Sequence, residues 1–210
     1  MQCHICDCQT NSFIDERTQI LYHHCLACEY VFKDPEYYQS IEEQKSRYDL
    51  HENDPEDEGY RAYFQRFFDF VLPRVGTPEN ALDFGCGRST LLADMLASKG
   101  VTCDAYDPIY HPIVLNKHYD LIVSTEVFEH LHDPRAIFMQ LVSMLKEGGY
   151  LAIQTQFHPN EIALFRQWYY HKDPTHIVFF RPKTFKKLAE IHGCEVLADN
   201  GKNMIVLQKK

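Results

Sequence analysis

In the stretch Ala81-Leu82-Asp83-Phe84-Gly85-Cys86-Gly87-Arg88-Ser89, a short apolar strand runs into a turn bracketed by two glycines. Leu91, Leu92, Met95 and Leu96 then fall on one helical face, and Gly100 stops that helix. Residues 101–106 and 119–124 read as the next strands. Asp133-Pro134 is a cap followed by a first-turn proline, opening a helix with Ile137, Leu141, Met144 and Leu145 on one face. Gly148-Gly149 is expected to end it, with a strand over 150–155 and a last helix over 182–192. Two closing strands, near 195–198 and 203–208, flank the hairpin turn Asp199-Asn200-Gly201. Upstream, Tyr60, Tyr63, Phe64, Phe67, Phe68, Val71 and Leu72 form an apolar helical stripe. Strands alternating with helices predict an α/β fold: a doubly wound, mostly parallel sheet covered on both faces, closed by an antiparallel C-terminal edge hairpin.

In such a sheet the ligand lies beyond the C-terminal ends of the strands. Gly85 and Gly87 let the backbone approach a ligand closely. Asp107 follows about twenty residues on, at the end of the second strand, where a carboxylate can accept hydrogen bonds from both hydroxyls of a ribose. There is no Walker lysine and no full G-x-G-x-x-G pattern, which weighs against a nicotinamide cofactor.

These residues resemble class I S-adenosylmethionine-dependent methyltransferases. Leu82–Gly87 is similar to the family's nucleoside-binding first motif, and Asp107-Pro108 to its ribose-binding acidic position. The run 119–134, YDLIVSTEVFEHLHDP, resembles the fourth-strand motif of the ubiquinone-type O-methyltransferase branch, and 145–151 its turn into the fifth strand. The resemblance implies a Rossmann-like fold and S-adenosylmethionine as cofactor. It implies cofactor contacts from Asp83, Gly85, Cys86, Gly87, Asp107, Ser124, Thr125 and Glu126. Only about a dozen residues separate Asp107 from Tyr119, so the usual third strand and its helix are expected to be shortened or missing.

Glu126, Glu129 and His130 follow the fourth strand at i, i+3 and i+4, one face of a helical turn. With His176 from a later Asp-x-x-His, they are the candidate catalytic residues, as general base or as ligands of a second divalent cation. The spacing resembles the metal site of small-RNA 3′-terminal 2′-O-methyltransferases. The aromatic stretch 157–180 is where an acceptor wall is expected, with Trp168, Tyr169 and Tyr170 as a lid. His132 and His158 read as solvated loop residues.

Five of eight cysteines lie in the first 28 residues. Cys3-His-Ile-Cys6 and Cys25-Leu-Ala-Cys28 are two Cys-x-x-Cys knuckles, and together they predict a closed S₄ site for structural Zn²⁺. Cys8, His4, His23 and His24 are nearby substitutes, Cys86 belongs to the cofactor loop, and Cys103 and Cys194 read as core. The expected organisation is a zinc ribbon over 1–32, an acidic connector over 33–59 and a methyltransferase domain over 60–210.

The 210 residues are 45% hydrophobic and 24% charged, which excludes a disordered or fibrous chain. A net charge of −9 weighs against a nucleic-acid partner, because such binding rests on Lys and Arg neutralising phosphates. No run reaches the ~18 apolar residues of a membrane span, and no secretory leader is visible, so the chain reads as cytoplasmic, without a membrane partner. The leading reading is a methyltransferase for a small-molecule or carrier-bound acceptor. Its rivals are an RNA methyltransferase that grips RNA with the ribbon, and a non-catalytic binding module, against which the intact Gly85, Gly87 and Asp107 set argues.

Overall fold

Three short strands, β1 (Asn11–Ile14), β2 (Leu21–His24) and β3 (Val31–Lys33), make an antiparallel meander at the N-terminus of the computed structural model. The structure describes residues 1–40, 43 and 57–210; of the acidic run 49–58 only Asp57 and Glu58 lie inside that set. Asp57 does identifiable work, since its carboxylate accepts the Gly59 and Tyr60 N–H groups and so caps α1 (Glu58–Val75).

The α/β part follows as β4 (Asn80–Phe84), α2 (Leu91–Ala97), β5 (Thr102–Tyr106), β6 (Tyr119–Thr125), α3 (Pro134–Ser143) and β7 (Leu145–Gln154). One helical turn, α4 (Ile162–Phe165), then β8 (Val178–Phe179), α5 (Pro182–Ile191), β9 (Cys194–Asp199) and β10 (Met204–Lys209) complete the chain. The main sheet has the order β5-β4-β6-β7-β10-β9, with the first four strands parallel and β10 antiparallel to both neighbours. Ala81, Leu121, Val123, Ala152 and Val206 pack on one side, under α1 and α2. Leu82, Ile122, Leu151, Ile153, Ile205 and Leu207 pack on the other, under α3 and α5. That period of two is what a sheet buried on both faces requires.

Residues 107–118 hold no strand or helix, so β5 is an edge and the third βα unit is absent, as the short spacing implied. One expectation is corrected. Gly148-Gly149 does not stop a helix: α3 ends at Ser143, and Leu145, expected on the helix, already belongs to β7. The two glycines form a bulge in β7, where the register slips between Tyr119 and Leu121 of β6. Gly148 has φ +74°, and a Cβ on Gly149 would lie 2.9 Å from the Lys146 carbonyl oxygen.

The N-terminal meander does not end at β3. Val31 pairs with Phe179 and Phe32 with Val178, so β8 is the fourth strand of the same sheet. Phe165 of α4 fills the seam, its ring centroid 5.2 to 5.6 Å from those of Phe13, Tyr22 and Phe179. The same seam overturns the reading of His158 as a solvated loop residue. It is 1% exposed, with Nδ1 2.9 Å from the Pro159 carbonyl oxygen and Nε2 2.7 Å from that of Glu29. His132 is exposed as expected. No described helix is long and apolar enough to cross a membrane.

Phe165→Ala is expected to destabilise the whole chain by about 3–5 kcal/mol, the cost of emptying a buried aromatic site. Chemical denaturation checks this. A loss under about 1 kcal/mol would mean that the meander and the 157–180 stretch do not share one core.

Candidate active site

The two Cys-x-x-Cys knuckles are built alike. The Asp7 N–H donates to the Cys3 carbonyl and the Glu29 N–H to that of Cys25. Asp7 and Glu29 both take left-handed φ, 60° and 62°. The loops bring the Sγ atoms of Cys3, Cys6, Cys25 and Cys28 within 4.8 Å of one another, with separations of 3.6, 3.5 and 3.6 Å for the pairs 3–28, 6–25 and 6–28. A tetrahedron with metal–sulfur bonds of about 2.3 Å has edges of about 3.8 Å, and a disulfide about 2.05 Å. The thiols cannot all ionise unaided. Hydrogen bonding with Cys28 pulls Cys3 down to about 5, and the same contact pushes Cys28 far up. Cys8 is exposed, His4 lies against the Phe32 ring, His23 is held by Ser12 and Asp34, and His24 packs against His158, so none joins the four.

A cavity of about 810 Å³ opens at the C-terminal ends of β4, β5 and β6. Asp83, Cys86, Thr125 and Glu126 line it, facing Tyr60 and Tyr63 of α1. Asp83 is 2% exposed, and no hydrogen-bond donor among the described residues reaches its carboxyl. Burial, with Asp107 nearby, pushes it up to about 8. The two glycines, expected to line a cofactor together, have different roles. Gly85 has φ +82°, and a Cβ there would lie 2.3 Å from Val127 Cγ2, so it serves close packing against the loop after β6. Gly87 has φ +64° with open space above its Cα. Asp107 ties the loops together: Oδ1 accepts the Ile109 and Tyr110 N–H groups and Oδ2 that of Gly87. Ser124 is fully buried in β6 and does not line the cavity.

Glu126, Glu129, His130 and His176 are brought together as expected. Glu126 takes φ 53°, and a 3₁₀ turn over Phe128–His130 follows it. The Tyr63 hydroxyl donates to Glu126 Oε1 at 2.6 Å, and Thr155 Oγ1 to Glu129 Oε2 at 2.8 Å. The Tyr170 hydroxyl lies 2.7 Å from Glu126 Oε2 and also against Glu129 Oε1. Four contacts require four protons and the hydroxyls supply three, so a carboxyl carries at least one more. Burial and then Glu129 push Glu126 up to about 8, and burial also raises Glu129. His130 Nδ1–H donates to the Thr175 carbonyl at 2.9 Å, and His176 Nδ1–H to the Tyr170 carbonyl at 2.7 Å. The two rings lie 4.8 Å apart. Burial, then His130, holds His176 down at about 4, so its imidazole is neutral at pH 7.

Tyr63 was not read as a site residue from the sequence, and Tyr170 was read only as part of an aromatic lid. Tyr63 sits in the apolar stripe of α1, where its spacing is that of any core residue. The expected lid divides instead: Tyr170 is buried on the glutamates, Trp168 packs on Phe165 and Phe179, and only Tyr169 is exposed, at the cavity wall. The Asp83 carboxyl generates a pH prediction. Its folded value of about 8 lies above its ordinary 3.8, so the unfolded chain binds fewer protons between them and stability falls as pH rises through that window. Asp83→Asn is expected to flatten this decline in urea unfolding measured from pH 4 to 8; an unchanged slope would mean Asp83 is ionised in the folded protein.

A family model described as "Methyltransferase domain" matches residues 57–199. Among curated proteins, a ubiquinone biosynthesis O-methyltransferase of Yersinia pestis is 24% identical, over 41% of this chain and 47% of its own length. The chain thus spans about half the length of the curated relatives it matches. Among solved structures, an O-methyltransferase family protein from Burkholderia thailandensis superposes with a TM-score of 0.53 at 15% identity, over 80% of this chain and 63% of that one. The N-methyltransferase NodS from Bradyrhizobium japonicum, solved with S-adenosyl-L-homocysteine, gives 0.53 at 16% identity, over 80% and 97%. These structures share the fold of the main sheet, and the family match extends from the cap of α1 through the cavity-lining loops to β9. On that match the chain belongs to the class I S-adenosylmethionine-dependent methyltransferase family.

Proposed function

We propose that the protein transfers a methyl group from S-adenosylmethionine to an O, N or C nucleophile of a small-molecule acceptor. One observation carries this reading: one cavity is lined by Asp83, whose buried carboxyl meets no donor among the described residues, and by Glu126, His130 and His176, with Glu129 buried behind them. The residues fit the cofactor. Among the described residues no donor meets the Asp83 carboxyl, a place a cationic ligand group would fill, and Gly87 leaves room above its Cα for a ligand. Asp107 has a lone pair left on Oδ2 for a ribose hydroxyl. When bound, the cofactor supplies an electrophilic methyl on its sulfonium. The chain's own residues hold the acceptor in line and exclude water behind Tyr63 and Tyr170. His176, neutral at pH 7, takes the acceptor's proton where there is one, with His130 beside it. The net charge of −9 favours a small acceptor over RNA.

A second reading of the same cluster has its own support. Glu129, His130 and His176 each bring a ligand atom within 4.8 Å of the others, and both imidazoles give Nδ1–H to backbone carbonyls, as ligand histidines commonly do. These three would hold a divalent cation, which would activate the acceptor in place of a free base. The four N-terminal cysteines would hold a structural Zn²⁺, closed to substrate and contributing to folding.

Calorimetry with S-adenosyl-L-homocysteine tests the main reading. Wild-type protein is expected to bind it, and Asp107→Ala to bind about 10- to 100-fold more weakly, given charge-assisted hydrogen bonds of roughly 1.5–3 kcal/mol. Absence of binding by the wild type would sink the reading. Elemental analysis tests the metals: one zinc per chain should vanish in Cys3→Ser/Cys25→Ser, and a second, weaker ion should vanish in His176→Ala. Zinc that persists in the double variant would reject the four-cysteine site.

A further inference from the structure

Lys33 is the last residue of β3, on the cysteine-bearing meander, yet it is only 1% exposed. Its Nζ donates to the carbonyl oxygens of Asp173 and Pro174, each at 3.2 Å, and its backbone N–H to that of Ile177 at 2.8 Å. Those carbonyls belong to one turn, which the Asp173 carboxylate tightens by accepting the Thr175 N–H and hydroxyl at 2.9 and 2.7 Å. The turn governs the cluster in the cavity. The Thr175 carbonyl orients the His130 ring, His176 is the next residue, and the Ile177 N–H donates to the Glu129 carbonyl at 2.9 Å. Glu129, His130 and His176 are therefore each attached within two residues of what Lys33 holds.

Burying an ammonium is costly unless its donors are met, and Lys33 meets them on two carbonyls of one turn, which fixes where those carbonyls sit. We propose that Lys33 is a positioning residue of the acceptor site: through the 173–176 turn it places the Thr175 carbonyl that holds His130 in the Nδ1–H form and the backbone that carries His176 to the Tyr170 carbonyl, leaving Nε2 of each ring as the basic nitrogen. The proposal rests on reading those two histidines as the working groups of the site. It makes the cysteine-bearing meander part of the active site, since β3 delivers the ammonium.

Nitrogen-15 long-range NMR spectra of the histidine rings report which nitrogen carries the proton. In the wild-type protein, in metal-free buffer, His130 and His176 are each expected as a single Nδ1–H tautomer. In Lys33→Met, which keeps the length and apolar stem but removes the ammonium, both rings are expected to lose that single-tautomer pattern. The ring of His158, buried but outside the turn, should not shift, and affinity for S-adenosyl-L-homocysteine should stay within about twofold, because Lys33 does not line the cavity. Unchanged rings in Lys33→Met would overturn the proposal, as would a shift of His158 together with the pair, which would signal general loosening. Wild-type rings that are not Nδ1–H would overturn it too, a result that stands even where the variant fails to fold. S-adenosyl-L-homocysteine binding by the wild type judges the methyltransferase reading separately.

Discussion

Two backbone pairings, Val31 with Phe179 and Phe32 with Val178, hold the proposed acceptor side of the cavity in place. They fuse a cysteine-bearing meander to the stretch between β7 and α5, and Phe165 packs the joint. Without that joint, Tyr170 and His176 would lie on a long connection with little secondary structure of its own. With it, Tyr170 is driven onto two glutamates that the turn after β6 presents from the main sheet. The proposed cofactor side needs no such help, because the ends of parallel strands form a crevice wherever the fold occurs.

The cavity is electrostatically expensive. Asp83 is buried without a donor among the described residues, and Glu126 and Glu129 share the Tyr170 hydroxyl between them. Each raised carboxyl is a place where the folded chain holds a proton that the unfolded chain would release, so the site is built at a cost in stability at neutral pH. The cost is arranged usefully. A positively charged ligand group would relieve Asp83, and a cation or an acceptor with hydrogen-bond donors would relieve the glutamates.

Most of the scaffold was legible in the sequence because it rests on local signals. Ala81–Gly87, Asp107 and the Glu-x-x-Glu-His run mark strand ends, and the short interval before Tyr119 correctly foretold a missing third βα unit. The four paired cysteines were legible from spacing alone. What escaped was set by distant partners. Gly148 and Gly149 look like a helix stop until β6 is beside them. His158 looks solvated until Glu29 arrives from 129 residues away. Tyr63 and Lys33 carry no local mark, since one lies in an apolar stripe and the other ends a three-residue strand; their roles appear only when α1 and β3 are packed against the cavity loops. Ser124 shows the converse, a polar residue at a strand end that the fold buries away from the cavity.

On the proposed function, one cavity is shared between a cofactor side on the parallel sheet and an acceptor side held by the meander. A crystal structure with S-adenosyl-L-homocysteine tests it most directly. The ligand is expected beyond β4 and β5, with its amino-acid end on Asp83, its backbone contact at Gly87, and its sulfur directed toward Glu126 and His176. Density elsewhere on the chain, or a ligand whose sulfur faces away from that cluster, would contradict it.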